Sequence, residues 1–211
     1  QIAECDRQIA QLLPGPDDPN DAGGPPVLLT SRKRPGVNAP DIPQLRSFLA
    51  QMCEGRDLTV LPAHTEYSVL QLVSEVGTEL DRWPTEKHFT SWLGLATGSR
   101  QSGKRRGNAK RQRNRAGRLF CVMARSLVRS KDIALGGFYR RMAARRGGLV
   151  ANIALARKLA LLFWRVMVKG LDYVEEGLAR YEAKVLETKQ RALRRLAKEL
   201  GQELVPVAQG A

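Results

Sequence analysis

Apolar residues recur at spacings of three and four along most of this chain, the period that buries one face of an α-helix. Leu45, Phe48, Leu49 and Met52 keep it over residues 44–52. Val69, Leu70, Val73 and Val76 keep it over 67–76, where Gly77 supplies a stop signal. Residues 57–62 read as the turn between these two helices. After Arg82-Trp83-Pro84, Thr85 has the hydroxyl of an N-cap, and His88, Phe89, Trp92 and Leu93 form the apolar face of the helix it opens. The period resumes over 117–130, with Leu119, Val122, Met123 and Leu127 expected on the buried face. Another helix begins near Ile133 and carries Phe138, Tyr139 and Met142, until Gly147-Gly148 breaks it. Residues 150–168 form the longest apolar helix, through Leu155, Leu159, Leu162, Phe163 and Val166. A charged helix over 171–200 carries a partial stripe of Leu178, Tyr181, Val185, Leu193, Leu196 and Leu200. At the start, Ile2, Ile9, Leu12 and Leu13 mark the end of an amphipathic helix. No long alternating run calls for a sheet, so the expected fold class is mainly α.

Two stretches interrupt this pattern. Residues 14–43 are rich in Pro, Gly, Asp and Asn and read as an extended linker. Its cluster Arg32-Lys33-Arg34 suits a solvated linker and a weak DNA contact equally well. Residues 94–116 hold too many glycines and charges for a packed element, and are expected to be an irregular loop or a β-hairpin arm. The chain then divides into the end of a linking helix (1–13), the linker (14–43), a DNA-binding domain (44–170) and a charged C-terminal helix and tail (171–211).

Charge sharpens the reading of the arm. The chain has 211 residues, 43% of them hydrophobic, which excludes global disorder. Its formal net charge is +14 and its pI about 10.3. Such a balance favours a polyanion as partner, either nucleic acid or an anionic membrane. The charge is uneven: no Asp or Glu occurs between Lys87 and Lys131. Arg100, Lys104, Arg105, Arg106, Lys110, Arg111, Arg113, Arg115 and Arg118 fall in that interval. Each cation that meets a phosphate releases condensed counterions, and such contacts position a nucleic acid without reading its bases.

Other residue types narrow the chemistry. Cys5, Cys53 and Cys121 are scattered, and His64 and His88 stand apart from them, so neither a disulfide framework nor a zinc site is expected. That usage fits a reducing cytoplasm, and Glu4 and Asp6 argue against a signal peptide. Arg157, Lys158 and Arg165 interrupt the most apolar window, which therefore reads as a buried helix and not a membrane span. Trp83, Trp92 and Trp164 lie at helical spacings beside apolar residues and are expected in the core. Glu75, Glu79, Asp81 and Glu86 are the carboxylates nearest the arm, and capping and solvation account for them without a metal.

One nucleophile stands inside the basic run. Ser102 is followed by Gly103 and then by Lys104, Arg105 and Arg106. A serine attacking a phosphodiester needs an exposed hydroxyl, cations around the phosphate and backbone freedom for close approach, which an adjacent glycine gives. A phosphate-clamping loop without chemistry needs the same cations, and Ser99 is a second serine in the same stretch.

The segments DLTVLP, LQLVSEVG and DRWPTEKHFTSWLGLATGSRQSGK resemble the C-terminal domain of the DEDD/serine transposases of insertion sequences of the 110/1111 type, which are related to pilin-gene invertases. The downstream run from SKDIALGGFYRRMAARRGG to RALRRLAKELGQELVPV is similar to the same family. The resemblance implies a helical transposase domain whose serine, at Ser102 here, becomes covalently joined to DNA, with Arg105 and Arg106 in the basic arm behind it. It implies a divalent metal, Mg²⁺, held by an acidic RuvC-like domain and not by these residues, and no cofactor in this chain. The chain begins at Gln1, so it is expected to be a fragment and inactive without that domain. DNA is the implied partner, with a structured guide RNA in some members and a homo-oligomer for the full-length protein. This sequence reads Ser-Gly-Lys where the family has Ser-Gly-Gly-Lys. It also reads AHTEYS after Leu61-Pro62, where the family carries a glycine-bearing helix-hairpin-helix turn. The expected function is a transposase fragment that binds DNA and supplies a serine nucleophile. The alternatives are a non-catalytic basic helical protein that binds DNA or RNA and, more weakly, a binder of anionic membranes.

Overall fold

The computed structural model describes residues 2–13, 39–96, 100–102, 105–107, 112–130 and 134–203. These residues are mainly helical and fall into two compact units, Gln1–Val174 and Glu175–Ala211. In the first unit the elements run α1 (Ile2–Leu12), α2 (Leu45–Met52), a 3-10 turn (Leu58–Val60), α3 (Glu66–Val76), α4 (Glu86–Trp92), β1 (Arg100–Ser102), β2 (Arg105–Gly107), α5 (Arg115–Ser126), α6 (Ala134–Arg146) and α7 (Gly148–Lys169). Helix α8 (Leu171–Glu199) passes from this unit into the second.

Local chemistry sets the helix starts. The Thr65 hydroxyl accepts from Ser68 N–H while Ser68 bonds back to Thr65, which closes a capping box at the head of α3. Thr85 caps α4 through His88 N–H, as its position predicts, and Asn114 caps α5 by accepting from Gly117 N–H at 2.8 Å. Helix α8 stops at Gly201, where φ is +65° and Gln202 N–H reaches back to the Ala197 carbonyl at 2.9 Å.

The core of the first unit is laid on α7, which packs against α4, α5 and α6. Ala151, Leu155, Ala156, Leu159, Ala160, Phe163 and Val166 are fully buried there. Phe163 lies at the centre of an aromatic cluster, 5.8 Å from Phe120 of α5 and 6.2 Å from Phe89 of α4. His64, in the turn before α3, stacks on the same ring at 6.2 Å with the planes 6° apart. Its Nδ1 lies 2.9 Å from the Pro62 carbonyl, and its Nε2 is buried with no hydrogen-bond partner. Burial pushes its pKa down to about 4, against the pull of the Pro62 bond, so the ring is neutral with the proton on Nδ1.

A buried ion pair secures the front of the unit. Arg46 of α2, 6% exposed, meets Asp57, whose other oxygen accepts from Thr59 N–H and Oγ1 at 3.0 and 2.6 Å. Burial opposes ionisation of Asp57, but the Arg46 and Thr59 hydrogen bonds outweigh it and hold the carboxyl below its ordinary value.

Three expectations about faces need correction. On α5 the buried residues are Ala116, Phe120, Met123, Ala124 and Leu127, while Val122 is 61% exposed. The face turned to α7 is centred one position from the one that β-branched Val122 suggests. Trp92 is 43% exposed, not a core residue, because it ends α4 where the chain turns away at Leu93 and Gly94. In the second unit Leu193, Leu196 and Leu200 of the charged stripe are exposed.

Candidate nucleic-acid interface

Between α4 and α5 the described residues include a two-stranded ribbon, β1 with β2. Its outward limb follows Leu95 and its return limb precedes Asn114, and two glycines allow the limbs to close on each other. Gly94 has φ +71°, and a Cβ there would lie 2.9 Å from the Gln112 carbonyl and 3.0 Å from Arg113 Cα. At Gly117 a Cβ would lie 2.1 Å from the Leu93 carbonyl oxygen, so the first turn of α5 rests directly on the end of α4. The Asn114 side chain spans the same gap, donating from Nδ2 to the Trp92 carbonyl at 3.3 Å while its Oδ1 caps α5.

Beyond this neck, β1 and β2 pair antiparallel with Arg100 opposite Gly107, Gln101 opposite Arg106 and Ser102 opposite Arg105. The twofold period of a strand puts positions 100, 102 and 105 on one face of the ribbon and 101 and 106 on the other. The candidate nucleophile position, Ser102, is thus a direct cross-strand neighbour of Arg105 and next but one to Arg100. Ser99, Lys104, Lys110 and Arg111 lie outside the described residues.

The remaining candidate cations stand where the ribbon returns. Arg113 is partly buried, and Arg115 and Arg118 are exposed on the first turns of α5. Arg115 Nε lies 3.2 Å from Glu75 Oε1 of α3, which ties the α5 start to that helix and offsets part of its charge. Arg113 also bears on Cys121: burial raises that thiol's pKa, and the Arg113 and Arg125 charges oppose the rise. Of the nine basic candidates, the six within the described residues lie on the ribbon (Arg100, Arg105 and Arg106) or at its return into α5 (Arg113, Arg115 and Arg118).

The sequence reading missed an aromatic group at this root. Trp92 packs against Trp83 with ring centroids 4.8 Å apart, and the Arg82 guanidinium lies 4.0 Å over the Trp83 ring and 5.9 Å from that of Trp92. Arg82 is itself fixed by donating to the Val76 carbonyl at 2.5 Å. At the other end of α4, Glu86 accepts two bonds from Arg165 of α7, one of them 2.9 Å long. The Arg165 hydrogen bond holds the Glu86 carboxyl below its ordinary pKa despite partial burial. Helix α4, which positions the neck, is thus clamped to α7 at its start and to α5 at its end. Among the described residues no group of three or more His, Cys, Asp or Glu is arranged to hold a metal. Among them, too, no helix is long and apolar enough to cross a membrane.

Residues 56–140 match the model of the Transposase IS116/IS110/IS902 family. The matched stretch runs from the 3-10 turn through α3, α4, the ribbon and α5 into α6. No curated protein and no solved structure matches the chain. The match supports a transposase function, of recombinase type at the coarse level, and suggests DNA as the partner.

Proposed function

We propose that this chain is the serine-bearing part of a transposase, in which the ribbon grips a DNA strand and Ser102 attacks its backbone. One observation carries the proposal: inside the family-matched segment, the antiparallel register sets position 102 directly across from Arg105, in a stretch free of acidic residues. In the step envisaged, Ser102 Oγ forms a bond to phosphorus as one phosphodiester P–O bond breaks. The departing DNA oxygen gains a proton and the serine hydroxyl gives one up. The arginines of the ribbon and of α5 stabilise the extra negative charge that develops on the phosphoryl oxygens. Reversal of the same step onto a second strand end accomplishes strand transfer and leaves the serine free.

In this reading Mg²⁺ would be bound by an acidic domain other than these residues. In this proposal the chain does not cut DNA by itself and works within a homo-oligomer of the full protein. The DNA-binding ribbon also suits a guide RNA, which the same cations would hold through its phosphates.

The test is a trapping experiment. The chain is incubated with nicked or branched DNA and Mg²⁺, alone and with the acidic domain of a related transposase added. Denaturing gels then report a protein–DNA adduct. An adduct that is lost in Ser102→Ala and kept in Ser99→Ala supports the nucleophile. Salt-sensitive DNA binding without an adduct in either condition favours a non-catalytic basic helical DNA- or RNA-binding protein instead.

A further inference from the structure

We propose that Trp92 is a stacking platform for an unpaired DNA base at the root of the ribbon, braced by Trp83 and Arg82. The inference rests on the DNA-rearranging reading above. Trp92 is 43% exposed, whereas Trp83 and Trp164 are 9% and 5% exposed. Its inner contacts are fully committed: Trp83 at 4.8 Å and Phe89 at 6.3 Å, the latter with planes 21° apart. Its backbone is pinned by the bond from Asn114 to its carbonyl and by the close approach of Gly117 to Leu93. A rigid indole with a free portion of its surface is suited to stacking, because little entropy remains to be lost when a base lies on it.

Position selects the partner. Trp92 stands where the two limbs of the basic ribbon meet, its carbonyl bonded to Asn114 at the head of α5, the helix whose first turns carry the exposed Arg115 and Arg118. Cations that track a phosphate backbone next to an aromatic ring on which a base can lie are the recurrent arrangement of single-strand binding. Cleavage and exchange of strands unpair bases next to the reacting phosphate, so a strand held by the ribbon presents such a base at its root. The Arg82 guanidinium, 4.0 Å over Trp83 and 5.9 Å from the Trp92 ring, adds positive charge beside the platform.

The test compares binding to an intact duplex and to the same duplex carrying a short single-stranded gap, by fluorescence anisotropy over a range of salt. The wild-type chain is expected to prefer the gapped DNA. Trp92→Ala is expected to weaken gapped-DNA binding by about 5- to 100-fold, with duplex affinity and the salt slope unchanged, and Trp92→Phe to retain most of the preference. A 2-aminopurine in the gap should be quenched by the wild type and not by Trp92→Ala. Equal binding of gapped DNA by Trp92→Ala and wild type overturns the proposal, as does an equal loss on both DNAs, which would mark a structural role. A wild-type chain that binds duplex without preferring the gap overturns this inference alone. One that binds neither DNA overturns the DNA reading as well.

Discussion

Two adjacent glycines in α6 are expected to respond to alanine with opposite signs. In an ordinary helix position, Gly→Ala removes unfolded-state freedom and stabilises by about 0.5–1 kcal/mol. Gly137 is such a position: a Cβ there meets nothing closer than Arg141 Nη1 at 3.6 Å, the mobile end of a long side chain. At Gly136 the added carbon would lie 2.2 Å from the Ser130 carbonyl oxygen and 3.0 Å from that of Leu127. Ordinary contact lies beyond 3.4 Å, so Ser130 O would have to retreat by roughly 1 Å, and the oxygen belongs to backbone rather than to a flexible side chain. The same oxygen accepts from Arg140 Nη1 at 2.8 Å, a bond that the retreat would strain. Overpacking of this kind costs about 1–3 kcal/mol, which exceeds the helix-propensity gain. Gly136→Ala is therefore expected to lower stability by about 0.5–2 kcal/mol net of that gain, and Gly137→Ala to raise it by about 0.5–1 kcal/mol. Urea unfolding followed by circular dichroism, with thermal melts as a second readout, measures both. The melting temperature is expected to move by about 2–4 °C per kcal/mol for a chain of this size. A Gly136→Ala variant as stable as Gly137→Ala would refute the reasoning, because only the packing of α6 on the 127–130 turn distinguishes the two sites.

Three further outcomes follow from single groups. Ala63 has φ +65°, a region that favours glycine, so Ala63→Gly is expected to stabilise by about 0.5–1 kcal/mol in the same unfolding assay, despite the added freedom of the unfolded chain. His64 has a folded pKa of about 4 against an ordinary 6.5, so the unfolded chain takes up its proton first. Its contribution is therefore complete above about pH 6.5 and is lost as pH falls toward 4, by up to about 3 kcal/mol. His64→Phe, which keeps a ring between Phe120 and Phe163, is expected to flatten that part of the stability–pH curve, and an unchanged slope would count against the assignment. Asp57→Ala takes the carboxylate from a nearly buried Arg46 and is expected to cost about 3 kcal/mol, measured by the same unfolding, whereas loss of the exposed pair of Arg191 and Glu187 is expected to cost under about 0.5 kcal/mol.

Much of the architecture was legible in the chain because its causes are local. The period of 3.6 in 67–76 and 150–168 needs only neighbouring turns to form, and the observed helices Glu66–Val76 and Gly148–Lys169 follow it within two residues. Thr85 was readable as a cap because a hydroxyl before an apolar run meets N–H groups a few residues on. The basic, glycine-rich interval between α4 and α5 announced an excursion for the same kind of reason: nothing in it could pack. His64 was not readable as a core residue. Its burial depends on Phe120 and Phe163, 56 and 99 positions further along the sequence, and a single histidine before a helix carries no sign of them.

The sequence by itself determined the mainly helical class, most helix starts and stops though not those of α5, expected over 117–130 and found at Arg115–Ser126, and the concentration of positive charge in one interval, since hydrogen bonding, capping and composition act over a few residues. Only the tertiary structure decided which face of α5 is buried, that Trp92 stands at the surface, and that the ribbon is gripped at a neck made by Gly94, Asn114 and Gly117. These depend on where helices cross. A crossing is set by the close approach of backbones and side chains from distant parts of the chain, which no local periodicity encodes.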